Sequence, residues 1–172
     1  MTMREVGEEV FYADGPITRV GRSDIAALKA RAATNRRRRA RVCTHPDTAD
    51  GLHEMLIVHS RGAYVPPHRH VGKSESFHMI EGELDVVIFE NDGAVKEIIS
   101  LAAPSANRAD DKPFYYRLSE SYFHTVVPRS DVVVFHETTN GPFRREDTDF
   151  AAWAPAENDA PEEQSAYIAR LV

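Results

Sequence analysis

The sequence contains a single cysteine, Cys43, and a single tryptophan, Trp153, among 172 residues. One cysteine excludes an intramolecular disulfide and a cysteine-rich zinc site, and fits a reducing compartment, so the cytoplasm is the expected location. No uncharged apolar run is long enough to span a bilayer. Residues 1–20 mix Arg4 with Glu5, Glu8 and Glu9 and hold no apolar stretch of signal-peptide length, so an unexported protein with no membrane partner is expected. Positive charge is in the minority: 21 Lys and Arg stand against 27 Asp and Glu, a formal charge of −6. That balance disfavours nucleic acid as a partner. No internal repeat is present, and the sole low-complexity feature is the arginine run Arg36, Arg37, Arg38, Arg39 and Arg41.

What is present suffices for one core. With 42% hydrophobic and 28% charged residues, the chain fits one folded domain with appendages. Ser23 can cap a helix over 23–33, with Ile25, Leu28 and Ala32 on one stripe. From Leu52 onward the pattern changes to short apolar runs rich in β-branched and aromatic residues, at 55–58, 77–80, 84–89, 98–101, 114–118, 125–127 and 132–135. Gly62, Gly82, Gly93 and Pro128 lie in the turn signals between them, and Asn91-Asp92-Gly93 reads as a hairpin. Residues 103–113 read as a polar connection, and a short helix is expected near Pro161 with Tyr167, Ile168 and Leu171 as its apolar contacts. Many short strands with close turns predict an all-β sandwich or barrel. The expected division is an N-terminal extension with one helix over 1–48, a barrel over 49–141 and a tail over 142–172 packed on the barrel.

Eight histidines are distributed unevenly. His68 and His70, two apart on an extended chain, point to one side. A short link through Gly72 can return the Glu75 carboxylate to the same point, and His124 is the best candidate for a third imidazole. Three imidazoles and a carboxylate suit one divalent transition metal, with iron, manganese, zinc and nickel not distinguished, and leave positions open for water or substrate. The offsets of Gly62, His68, His70, Glu75 and Gly82 resemble the first motif of the cupin superfamily at every element. The second cupin motif survives in part: His124 keeps its place, while Ser119, Ser121 and Pro128 replace its usual Pro, Gly and Asn. The resemblance implies a double-stranded β-helix, a jelly-roll-like barrel, with His68, His70, Glu75 and His124 as metal ligands. The segments 36–41, 66–78, 133–143 and 150–157 further resemble the WbuC-type cupin-fold metalloproteins. This implies a sugar-related role in a surface-polysaccharide or O-antigen context, and the habit of small cupins implies a homodimer.

Several other residues are candidates for function. Lys73, Tyr115 and Arg117 are candidates for binding a small polar or anionic substrate, with Tyr116 beside them as a pocket or core aromatic. One of His136 and Glu137 should point into the barrel as a catalytic acid or base, since adjacent strand residues face opposite ways. His78 should face away from the metal, and Trp153 should anchor the tail. The arginine run admits three readings: a nucleic-acid patch, a clamp on an anionic ligand, or the solvated end of the helix that starts near Ser23. The expected function is a metal-dependent enzyme acting on a small polar substrate, of isomerase or epimerase type. The alternatives are an iron-dependent dioxygenase and a non-catalytic, metal-dependent ligand-binding or regulatory module.

Overall fold

The computed structural model describes residues 2–105 and 111–171. In chain order its elements are β1 (Met3–Glu5), β2 (Val10–Ala13), helix α1 (Arg22–Thr34), β3 (Arg39–Cys43), β4 (Leu52–Ser60), β5 (His68–His70), β6 (Glu75–Glu81), β7 (Glu83–Phe89), β8 (Val95–Ala102), β9 (Tyr115–Leu118), β10 (Phe123–Pro128) and β11 (Val132–Asn140). A 3-10 turn (Arg145–Asp147), β12 (Thr148–Phe150) and helix α2 (Pro161–Leu171) follow. The expected polar connection over 103–113 lies partly outside the described residues, at 106–110.

Strands β4 to β11 make the barrel. Its first sheet runs β4-β11-β6-β9 and its second β5-β10-β7-β8, with each of the pairs β4–β11, β5–β10, β6–β9 and β7–β8 antiparallel. First pairs with last, second with second-to-last, and so inward to the central hairpin, which is the jelly-roll order expected of an all-β double-stranded β-helix. The hairpin at 89–95 forms as the sequence indicated: Gly93 takes φ +89°, and the Glu90 N–H donates to the Ala94 carbonyl at 2.9 Å. Gly82 links β6 to β7 with φ +79°, where a Cβ would sit 2.5 Å from the Val132 carbonyl oxygen, so this tight crossing admits no side chain.

Three strands extend the first sheet beyond β4, where the sequence pattern indicated only a helix. β3 pairs antiparallel with β4, β2 parallel with β3, and β1 antiparallel with β2. Helix α1 ends at Thr34, and its N-terminus is Gly21 rather than Ser23, with the Asp24 carboxylate accepting from the Gly21 N–H at 2.8 Å. The arginine run is therefore not a helix end. Arg38 turns the chain with φ 54°, and Arg39 begins β3. Along β3, Ala40 and Val42 pack under Leu28 and Ala32 of α1, together with Val58 and Val134. Arg39, Arg41 and Cys43 alternate to the opposite face. Burying Leu28, 1% exposed, contributes about 2 kcal/mol.

Strand β7 is buried on both faces, which explains its unbroken apolar run. Leu84, Val86 and Ile88 fill the barrel with Met79, Leu101 and Val133, whereas Val87 and Phe89 meet the tail. There Trp153 lies 4.9 Å from Phe89 and 5.8 Å from Phe123 between ring centroids, beside Ile168 and Leu171 of α2. The expected tail helix and its tryptophan anchor are both found in this contact.

Candidate metal centre

Period-two alternation along β5 brings His68 and His70 together, and β10 places His124 directly across from His68 in register. Ring centroids are 4.9 Å apart for His68 and His70, 4.6 Å for His68 and His124, and 5.8 Å for His70 and His124. One nitrogen from each ring lies within 4.8 Å of the others, so the triad could hold a metal ion. Glu75, the first residue of β6, closes the group on one side, with Oε1 3.0 Å from His124 Nε2 and Oε2 3.6 Å from His70 Nε2.

The remaining ring nitrogens are fixed from behind. His68 Nδ1 lies 2.9 Å from the Pro66 carbonyl and His124 Nδ1 3.1 Å from the Tyr122 carbonyl. A carbonyl accepts only, so in both rings Nδ1 carries the hydrogen and Nε2 keeps its lone pair toward the centre. His70 Nδ1 meets the Thr148 hydroxyl at 3.3 Å. Glu75 Oε1 is buried and has no hydrogen-bond partner although it lies 3.0 Å from His124 Nε2, because with the hydrogen on Nδ1 that nitrogen has none to donate. A buried carboxylate oxygen without a donor is costly, and a cation answers it. The donor set and this orphaned oxygen fit a divalent transition ion.

The electrostatics agree. Burial, reinforced by His124 and His70, pushes His68 down to about 3, and burial also lowers His70. In His124 burial acts downward, but the Glu75 carboxylate outweighs it and the net shift is upward. Burial would raise Glu75, yet the three imidazoles, His124 foremost, hold it below the usual carboxylate range. The group is thus set to stabilise positive charge at its centre.

The triad opens onto a cavity of about 290 Å³ between the β3–β4–β11 side of one sheet and the β12–β5–β10 side of the other. Of the two adjacent candidates on β11, Glu137 lines this cavity, continuing the inward face of Val133 and Phe135. Burial, then the nearby Glu75 carboxylate, pushes Glu137 up to about 8. His136 faces outward across from His78, with Nε2 3.7 Å from Glu54 Oε1. His78 faces away from the triad, as expected, and is exposed, its ring 5.4 Å from Phe114.

The remaining candidates do not line the cavity. Lys73 donates to the Pro142 carbonyl at 2.6 Å and pairs with Asp147 at 3.0 Å, tying the loop before β6 to the tail. Tyr115 is 52% exposed on edge strand β9, opposite His78. Arg117 is exposed and donates to the Ser74 hydroxyl at 3.3 Å. Tyr116 packs in the core beside Phe77. Two residues that the sequence reading passed over, Thr148 and His59, stand on the wall instead, together with three arginines of the run for which an anionic clamp was one of three readings, Arg37, Arg39 and Arg41. Arg37 and Arg39 are each bound by both Glu9 and Glu157, which fastens the N-terminal segment and the tail across the cavity rim. The signal for the arginines was the alternation of Arg39-Ala40-Arg41-Val42-Cys43, a strand pattern inside what looked like a charge run.

No helix among the described residues is long and apolar enough to cross a membrane. Comparison with known proteins gives a family model described as a domain of unknown function (DUF6016), which matches residues 20–101. No curated protein matches the sequence. Among solved structures, a Shewanella oneidensis protein is similar over 62% of this chain and 66% of its own, at 10% identity and a TM-score of 0.49. The cupin domain of Schizosaccharomyces pombe Cnp3 is similar over 59% of this chain and 64% of its own, at 9% identity and a TM-score of 0.45. Bacillus subtilis oxalate decarboxylase, a protein with Mn(II) centres, is similar over 59% of this chain and 24% of its own, at 18% identity and a TM-score of 0.45. The chain spans less than two thirds of the length of each of these proteins, and its fold rests on its own strand order.

Proposed function

We propose that the chain is a metal-dependent enzyme acting on a small polar substrate in the cavity beside the histidine triad. The observation that carries this reading is the pairing of a converging donor set, His68, His70, His124 and Glu75, with Glu137 on the wall of the same cavity. A bound divalent ion would supply Lewis acidity to a substrate oxygen. Pro66 and Tyr122 hold His68 and His124 in the ligating tautomer through Nδ1. Burial and the Glu75 carboxylate shift Glu137 toward its protonated form, so its carboxyl can give up or take back a proton at the cavity wall, which suits a proton-transferring isomerase or epimerase. Phe77, Val126 and Phe135 line the same space and limit the water around that carboxyl.

The resemblance of the 66–78 and 133–143 segments to WbuC-type proteins supports a sugar-related substrate in a surface-polysaccharide context, and a cytosolic homodimer is part of the same proposal. The open side of the donor set favours an enzyme over a closed metal-holding module. Cobalt(II) added to metal-free protein tests this choice through its visible absorption. Azide shifting that spectrum shows a free coordination position and supports the enzyme; a spectrum indifferent to azide contradicts it and leaves the non-catalytic module.

A further inference from the structure

Two arginines on the cavity wall are placed differently from their neighbours. Arg37 and Arg39 are neutralised by Glu9 and Glu157. Among the described residues, no carboxylate lies within ion-pair distance of Arg41 or Arg145, yet both line the cavity. Strand alternation puts Arg41 on the cavity face of β3, where it is exposed at the cavity edge, beside Ile57 in register and diagonal to His59. Its charge acts on both Glu137 and His59, which places the guanidinium near the proposed acid. His59 is 4% exposed, and its Nδ1 has no hydrogen-bond partner, a second unmet polar group on the same wall. Arg145 stands at the mouth, its guanidinium 4.8 Å over the Phe150 ring. A guanidinium outside ion-pair distance of the described carboxylates, although its charge is felt by Glu9 and Glu137, beside an unsatisfied imidazole and across a cavity from a cation site, suits an oxyanion.

Cavity size narrows the ligand. At about 290 Å³ the cavity lies at the low end of small-ligand pockets, a size that suits a ligand of about one monosaccharide. We propose that the substrate is a small organic oxyanion, a carboxylate or phosphate monoester of monosaccharide size, whose anionic group is held by Arg41 and whose other end lies toward His68, His70 and His124. The orientation of the far end rests on the proposed metal-dependent reaction; the role of Arg41 does not.

The test uses three probes on one hexose skeleton, glucuronate, glucose 6-phosphate and neutral glucose, titrated calorimetrically into full-length protein, with metal content measured on the same samples. The expected result is binding of at least one anion and none of glucose, with about tenfold or greater loss in Arg41→Gln, a smaller loss in Arg41→Lys and no change in Arg36→Gln, since Arg36 does not line the cavity. Whether glucuronate or glucose 6-phosphate binds decides between carboxylate and phosphate. Equal anion affinity in Arg41→Gln, glucose binding as tightly as the anions, or binding of none of the probes would overturn the proposal. Metal retained with no Arg41-dependent binding sinks this inference alone. Arg41-dependent binding in protein that holds no metal supports it and sinks the enzyme reading alone.

Discussion

The two halves of the barrel are built from the same sheets and put to opposite uses. Between β9 and the β7–β8 hairpin the sheets meet through Met79, Leu84, Val86, Leu101 and Tyr116, and the interior is closed and apolar. Between β3–β4 and β5–β12 they enclose the cavity, with His68, His70, Glu75, His124 and Glu137 facing inward. Single strands cross from one regime to the other: β6 runs from Glu75 through Phe77 to Met79, and β11 from Val133 through Phe135 to Glu137. The closed half supplies the stability that lets the open half hold polar groups in unmet or shifted states. Mutations in one half should therefore leave the property of the other intact.

The largest expected effect lies in the closed half. Leu84 is fully buried, and Leu84→Ala should cost about 2–5 kcal/mol in urea unfolding while leaving metal content unchanged. A parallel loss of metal would show that the halves are not separable. Next is a pH effect in the open half. Burial, helped by Arg41 and Arg37, lowers His59 from 6.5 to about 4, so its neutral form is favoured in the folded state. The unfolded chain then takes up a proton between these values that the folded chain refuses, and stability is lost as pH falls from about 6.5 to 4. Between pH 7 and pH 5 this group accounts for about 2 kcal/mol of that loss, and His59→Gln should flatten the profile by that amount; an unchanged slope would exclude His59 as its source.

Smaller effects concern what covers the barrel. Trp153 is partly buried against Phe89 and Phe123, so Trp153→Ala should cost about 2 kcal/mol, and in the native protein its fluorescence should red-shift only with global unfolding. A shift well before the main transition would mean that the tail comes off by itself. The smallest effect belongs to the rim. Glu157→Gln weakens the contacts of Arg37 and Arg39, which are partly solvent-exposed, and should cost about 1 kcal/mol or less, falling further at high salt.

Much of this contrast was legible in the sequence. The barrel strands appear as apolar runs because their inner faces are buried, and the His68–His70 spacing appears because a strand repeats every two residues. The choice between His136 and Glu137 was not legible. Parity fixes only that they face opposite ways, while the register of β11 against β6, with its irregularity between Val134 and Phe135, fixes which one is inside. The groups fastening the triad were hidden for another reason: two are backbone carbonyls, of Pro66 and Tyr122, and the third is Thr148 on the short strand β12. For the arginines only the helix-end reading fails: charge dominates their composition, although Ala40 and Val42 between them mark a strand with one face under a helix. Lys73, placed by sequence at the barrel mouth, is drawn instead to Asp147, a contact 74 positions away that no local pattern reveals.

The central claim is that His68, His70 and His124 gather around a metal ion while the outward His78 and His136 do not. Elemental analysis of protein purified without a nickel column measures this directly. The account predicts about one divalent transition ion per chain in the parent, His78→Ala and His136→Ala proteins, and almost none in folded His68→Ala and His124→Ala. Equal metal in all five proteins, or none in the parent after incubation with iron, manganese, zinc and nickel salts, would contradict it.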